Sequence, residues 1–474
     1  MTRMQPALLL ARILIPLLLM TLLGNTARPH QVDLALQAAH RDLDAGAPLS
    51  AAEKIAAAAE GLPRRADLWE LAGQYALQGG DPAAARTYFE QAISAGSLTP
   101  AGLASMGEAA LLLGDQPAAM EAWQAAIDTG GPSIPLYEKL AAAFRSRGDY
   151  PAAISSLQAL TLLQPGEARR PYELGLLFAA TQPESALAPL ALASELDPAL
   201  GPDAQRVARS IRTARLAGDP VYTLVASGQA LASLDEWDLA AEAFRLAVEA
   251  NPGYAEAWAF LGEARQHLNQ DGLPALEEAL ALNPDSVAAN TFLALYWQRQ
   301  ERPELALVYL YAADGLEPEN PALQAEIGCS LAALGLLDSA RKHYQKSAEL
   351  APRDPQYWRS LAGFSIKYEV QVREIGLPAA RQAVLLDPED PASLDVMAQV
   401  LTLLGDPASA ERFLKRALKT DPNHAAARVH LGLVYLLRGK PSLAREQFDL
   451  VQTLAPADSA EAEQARRLLE VYFP

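Results

Sequence analysis

The chain has 474 residues, too many for one ordinary hydrophobic core, so it is either several domains or one long repeat array. Half of it is hydrophobic and aromatic content is modest, which suits packed helices, while a formal charge of −18 works against a phosphate backbone, whose affinity rests on Lys and Arg displacing counterions. No nucleic-acid partner is expected, and Cys329, the single cysteine, forms no intramolecular disulfide or cysteine-based zinc site and reads as a small buried helix residue.

Residues 1–27 read as a signal peptide or an N-terminal membrane anchor. Arg3 and Arg12 precede an apolar run from Ile13 to Leu23, which has the length of a signal-peptide core and is shorter than the roughly 20 residues of a usual spanning helix. Cleavage sites are poor: Asn25 stands at the −3 position for a cut after Ala27, and Leu22 for a cut after Gly24. An apolar stretch counted back to Ala7 and broken by Arg12 leaves an uncleaved anchor open, with the N-terminal segment spanning or contacting the membrane. Both alternatives place the protein outside the cytoplasm, secreted or periplasmic after cleavage or held on the cytoplasmic membrane.

Beyond this segment a ladder of prolines punctuates the chain: Pro63, Pro165, Pro198, Pro252, Pro284, Pro318, Pro352, Pro388, Pro422 and Pro456. The last four gaps are 34, 36, 34 and 34 residues. Proline cannot donate to a helical ladder and drives its predecessor out of the α region, so each closes a helix at a fixed phase. Upstream of Pro456 stand Leu431, Gly432, Tyr435, Ala444, Phe448 and Val451; one period earlier the equivalents are Met397, Ala398, Leu401, Ala410, Leu414 and Ala417. Gly80-Asp81-Pro82, Gly114-Asp115, Gly148-Asp149, Gly405-Asp406-Pro407 and Gly439-Lys440-Pro441 mark a turn inside each unit, glycine ending one helix and proline opening the next. Each unit therefore reads as two antiparallel amphipathic helices, and glycine or alanine of the first is expected to face alanine of the second.

The pattern resembles the tetratricopeptide repeat family. Trp258, Leu261 and Gly262 reproduce the opening of its signature, and Ala240, Phe244, Ala247 and Pro252 its second half. The resemblance implies an all-α, right-handed superhelical α-solenoid of about twelve helix-turn-helix repeats. About five repeats span 32–198, an extra helix or linker occupies 199–220, about seven repeats span 221–456, and 457–474 form a C-terminal capping helix. Two irregularities stand out: the Gln270 to Pro274 turn is two residues short, and the Tyr368 to Leu377 region is two long.

No chemistry emerges from the motifs. The six histidines show no metal-ligand spacing, and zinc-protease, nucleophile-elbow, phosphate-loop and dinucleotide signatures are all missing. No catalytic residue, metal or cofactor is expected, and the chain does not read as an enzyme. By the family resemblance, ligands meet first-helix positions on a concave groove, which here are Glu70, Gln74, Glu108, Glu138, Arg145, Gln229, Glu263, Gln298, Arg299, Arg359, Lys367, Asp395 and Gln399. The family's carboxylate clamp needs a Lys and an Asn four apart, a pair that no unit has. Arg299, Arg359 and Lys367 read as a basic patch in an otherwise acidic groove. The resemblance thus implies a scaffold binding partner proteins or extended peptides, the alternative being an envelope accessory factor that guides a glycan, with Tyr309 and Tyr311 offered to a sugar ring.

Overall fold

The computed structural model describes residues 30–60, 62 and 64–474. The leader reading of 1–27 and the ladder residue Pro63 lie outside the described residues. The described chain is all helical and has no strand. Two compact units divide it: the described residues up to 178 with 185–205, and residues 179–184 with 206–474.

Helical hairpins build the first unit: α1 (His30–Asp44) with α2 (Pro48–Glu60), α3 (Ala66–Gln78) with α4 (Pro82–Ala95), α5 (Pro100–Leu112) with α6 (Gln116–Gly130), and α7 (Ile134–Ser146) with α8 (Tyr150–Leu163). Most of α9 (Arg169–Thr181), and α10 (Leu187–Leu196), follow. An additional helix, α11 (Gly201–Arg215), then leads to α12 (Pro220–Ala232) and α13 (Trp237–Ala250). The second unit continues through α14 (Ala255–His267), α15 (Leu273–Leu282), α16 (Val287–Arg299), α17 (Pro303–Leu316), α18 (Pro321–Ala333), α19 (Leu337–Leu350), α20 (Pro355–Lys367) and α21 (Leu377–Leu386). It ends with α22 (Pro391–Leu403), α23 (Pro407–Thr420), α24 (Ala425–Leu437), α25 (Pro441–Leu454) and α26 (Ala460–Tyr472). With α11 and α26 set aside, the 26 helices form twelve hairpins.

The turn chemistry explains why one repeat folds as a hairpin. Gly80 takes φ +79°, a left-handed turn that ends α3, Asp81 then accepts a hydrogen bond from Ala84 N at 2.9 Å, and Pro82 opens α4 where no donor is needed. Asp406 and Pro407 repeat the arrangement with Ser409 N at 3.0 Å. Where glycine is missing, Asp235, Asn269, Glu301 and Glu369 adopt the same left-handed backbone, with φ between 52 and 60°. The two extra residues of the Tyr368–Leu377 region are absorbed by a π-helical turn, Val372–Gly376, entered through Gln371 at φ 48°.

Cores form between and within hairpins. In the last repeat Leu431, Gly432, Tyr435, Ala444, Phe448 and Val451 are all buried, and Leu394 and Ala398 of α22 join the same cluster. The first-helix glycine does not chiefly admit an alanine, as expected from sequence: a methyl group at Gly432 would stand 2.3 Å from the Phe448 ring, and one at Gly73 would stand 2.6 Å from that of Phe89. The glycine makes room for the large second-helix residue, so its loss would strain packing across the hairpin. Helix α26 lays Ala465, Leu468 and Leu469 against the Phe448 and Val451 cluster, and Phe473, just past its end, joins them.

Cys329 also departs from expectation. It is exposed on α18, next to Gly328, because the phase that points Ile327 inward turns Cys329 toward the polar side.

Candidate partner-binding face

Several polar residues of the first helices do not stand alone but bond to the first helix of a neighbouring repeat or to the residue that opens it. In the first unit Glu70 of α3 is buried and accepts from Thr99 N at 2.9 Å and from Thr99 Oγ1 at 2.5 Å, at the start of α5. Glu108 of α5 accepts from Lys139 Nζ of α7, and Glu138 of α7 from Arg170 Nη2 of α9.

The second unit repeats the device with other residue types. Glu263 of α14 receives both Arg299 terminal nitrogens from α16, at 2.6 and 3.0 Å, as well as Gln266 Nε2 at 3.1 Å; His267 Nε2 lies 3.1 Å away. The His267 ring in turn stacks on Trp237, centroids 3.6 Å apart. Hydrogen bonding to Glu263 raises the Arg299 pKa against the opposing effect of burial. Gln298 donates to Ser330 Oγ of α18 at 2.9 Å. Arg359 of α20 bonds Asp390, the N-cap of α22, at 2.6 Å, and Asp395 of α22 meets His430 of α24 at 2.7 Å. Burial pushes the Asp390 carboxyl up, but hydrogen bonds from Ser393 and the Arg359 charge outweigh it and hold the group below the usual aspartate range.

Of the residues expected on the groove, the structure joins Glu70 to Gln74 at 3.4 Å, Glu263 to Arg299, and Asp395 to Gln399 at 3.0 Å. Glu108, Glu138, Gln298 and Arg359 are each bonded to a neighbouring repeat rather than to one another. Arg145 lies beside Glu138 in a cleft of the first unit, and Gln229 is exposed on α12. Lys367 is exposed, its ammonium 5.5 Å from the Tyr368 ring. Two of the three basic-patch residues, Arg299 and Arg359, therefore have their charge met by a carboxylate. Tyr309 packs into the core cluster of Leu310, while Tyr311 stays exposed.

The partners Thr99, Lys139, Arg170, Ser330, Asp390 and His430 were not singled out from sequence. A usable signal exists for the charged ones: the bonded pairs are 31 to 36 residues apart, one repeat, so opposite charges recurring at the period mark them. Among the described residues no cluster of His, Cys, Asp or Glu could hold a metal ion, and no helix is long and apolar enough to cross a membrane.

Comparison with known proteins follows the same lines. Family models described as tetratricopeptide repeat match residues 36–100, 71–134, 264–321 and 401–469. A curated relative, the mouse interferon-induced protein with tetratricopeptide repeats 3, is 28% identical over 106 residues, which cover 22% of this chain and only 26% of that protein. Among solved structures, the chain is similar to a tetratricopeptide repeat protein of Parabacteroides merdae, at 16% identity and TM-score 0.44, over 54% of this chain and 99% of that one. It is also similar to yeast Tom70, at 17% identity and TM-score 0.36, over 79% and 95% of the two chains.

Proposed function

Since the chain belongs to the tetratricopeptide repeat family, whose arrays serve in general as protein-interaction scaffolds, we propose that it holds partner proteins or extended peptides along its first helices and catalyses nothing itself. One observation supports this reading above others: the first-helix polar groups are already ordered by bonds to the next repeat, as Glu263 is by Arg299 and Asp395 by His430. A face ordered before binding loses little conformational entropy when a ligand settles on it. Exposed Gln229, Lys367 and Ala142 lie on first helices and remain open to such a ligand. The glycan alternative has no comparable support, because Tyr309 is committed to the core.

We further place the protein outside the cytoplasm, a proposal resting only on the sequence of residues 1–27; fractionation with N-terminal sequencing decides it, and intact Met1 on cytoplasmic protein sinks it. The binding proposal is tested by site-specific photo-crosslinking in the protein's own cells, with the crosslinker at Ala142, Gln229 or Lys367 on first helices and at Glu121 or Lys342 on second helices. Protein adducts concentrated at the first-helix positions support the reading. Adducts confined to the second-helix positions contradict it.

A further inference from the structure

Within the second unit, three cations from two neighbouring repeats converge on one carboxylate. Glu411 of α23 is buried and accepts from Lys415 Nζ at 2.6 Å, from Lys440 Nζ at 3.3 Å and from Arg438 Nη1. Lys415 stands one turn further along α23, Arg438 caps the end of α24, and Lys440 lies in the turn between α24 and α25. Burial pushes the Glu411 carboxyl up, but the lysine hydrogen bonds and the charges around it hold it below the usual glutamate range, so it is ionised at neutral pH.

One carboxylate does not balance three cations. Elsewhere the exchange between repeats is one for one, as with Glu108 and Lys139 or Asp390 and Arg359. Here, among the described residues, no second carboxylate is ion-paired with Lys415, Arg438 or Lys440, so three positive charges against one negative leave two in excess, in a chain whose formal charge is −18. The surplus is held in place, because the Lys415 and Lys440 ammonium groups lie 5.8 and 5.5 Å from the centroid of the same Tyr435 ring. It is also within reach of a ligand, since the side chains of Lys415, Arg438 and Lys440 are 56, 32 and 38% exposed. Each ammonium has three donors and the guanidinium five, more than the lone pairs of Glu411 can take. Like charges gathered at this range repel one another, and a further anion relieves that repulsion.

We propose that Lys415, Arg438 and Lys440 form an anion site for neighbouring aspartate or glutamate side chains of a partner protein, whose carboxylates accept from the donors that Glu411 leaves free. The three groups stand open to solvent on a helix, a helix end and a turn, which suits an extended acidic segment laid across them. In an acidic chain such a patch also orients the segment, because the same ligand is repelled by most of the remaining surface. The site lies on α23 and at the turn end of α24, so it goes beyond the first-helix reading and stands or falls separately from it.

The test is fluorescence anisotropy on the full chain at low salt with a rhodamine-labelled, C-terminally amidated peptide, Gly-Ser-Asp-Glu-Asp-Gly-Ser. Parallel arms use a peptide with Asn-Gln-Asn in place of Asp-Glu-Asp, and inorganic phosphate as a competitor. Lys415→Gln with Lys440→Gln removes both surplus charges while Arg438 still meets Glu411. Arg353→Gln with Arg373→Gln, at exposed positions elsewhere in the unit, changes the net charge equally. Saturable binding of the acidic peptide is expected, weakened about tenfold or more by the lysine pair, little changed by the arginine pair, and lost as salt is raised. Binding weakened equally by both pairs, the amide peptide held as tightly as the acidic one, phosphate held more tightly than the peptide, or no saturable binding up to about 1 mM each overturns the assignment. The peptide and phosphate arms use the wild type, so they decide the question even where circular dichroism shows that the lysine pair does not fold. Peptide binding at this site without first-helix crosslinks fells the first-helix reading alone; first-helix crosslinks without peptide binding fell this site alone.

Discussion

Arg299 closes on Glu263 with both terminal nitrogens, at 2.6 and 3.0 Å, so a guanidinium at the end of one first helix seals the carboxylate of the repeat before it. Glu263 is 6% exposed. Arg299 is 39% exposed at its side chain, so solvent screens part of the attraction. Arg299→Ala is therefore expected to cost about 1–2 kcal/mol, less than the loss of one partner from a fully buried pair. Glu263→Gln combined with Arg299→Ala should cost less than the sum of the single changes, because no charge is left behind. Urea denaturation of the four proteins measures this, and a strictly additive cycle contradicts the coupling.

Gly432 and Phe448 make a second pair that can be read by substitution. Gly432→Ala pushes a methyl group to 2.3 Å from a fully buried ring and is expected to cost about 1–3 kcal/mol. The same two positions one repeat earlier are Ala398 and Leu414. Adding Phe448→Leu to Gly432→Ala should thus recover about 1 kcal/mol relative to the summed single losses. A double variant at least as unstable as that sum would mean that the ring does not set the glycine requirement.

Asp390 gives the array an acid-sensitive joint. Its folded pKa is lowered below the ordinary value of 3.8, so the carboxylate contributes stability that is fully present above the ordinary aspartate range. That contribution is lost as pH falls through the lowered folded value. Asp390→Asn keeps a side chain able to cap α22 but removes the charge facing Arg359. The stability gap between wild type and Asp390→Asn, measured by denaturant at steps from pH 7 to strong acid, is expected to be constant near neutrality and to close below the ordinary aspartate range. A gap that widens on acidification contradicts the assignment.

Removing residues 459–474 takes away α26 and uncovers the cluster of Phe448 and Val451, both fully buried in the intact chain. Terminal repeats need a polar outer face for solubility. The truncated chain is expected to self-associate at concentrations where the full chain does not, as light scattering coupled to size-exclusion chromatography reports. A monodisperse truncation with an unchanged melting temperature shows that α26 is dispensable.

The hairpin architecture was legible because each repeat carries its own punctuation: Gly80, Asp81 and Pro82 specify a turn by local rules alone. The pairing of first-helix side chains was not, because Glu138 and Arg170 meet only after two repeats stack, and sequence phase tells which helix a residue occupies but not what lies beyond it. Arg299 and Arg359 read as free cations for that reason. Cys329 was misplaced inward because size and apolarity were weighed without its phase relative to Ile327. The convergence of Lys415, Arg438 and Lys440 on Glu411 was hidden for the same reason, since the two repeats that supply them meet only on stacking.

Partners are expected to lie along the first helices. Hydrogen–deuterium exchange of the full chain, free and saturated with a partner recovered by crosslinking, tests it most directly, because amide protection is read helix by helix. Slower exchange concentrated in first helices such as α7, α12 and α20, with second helices such as α6 and α19 little changed, is the predicted result. Protection concentrated in the second helices, with the first helices exchanging as in the free chain, would contradict the account.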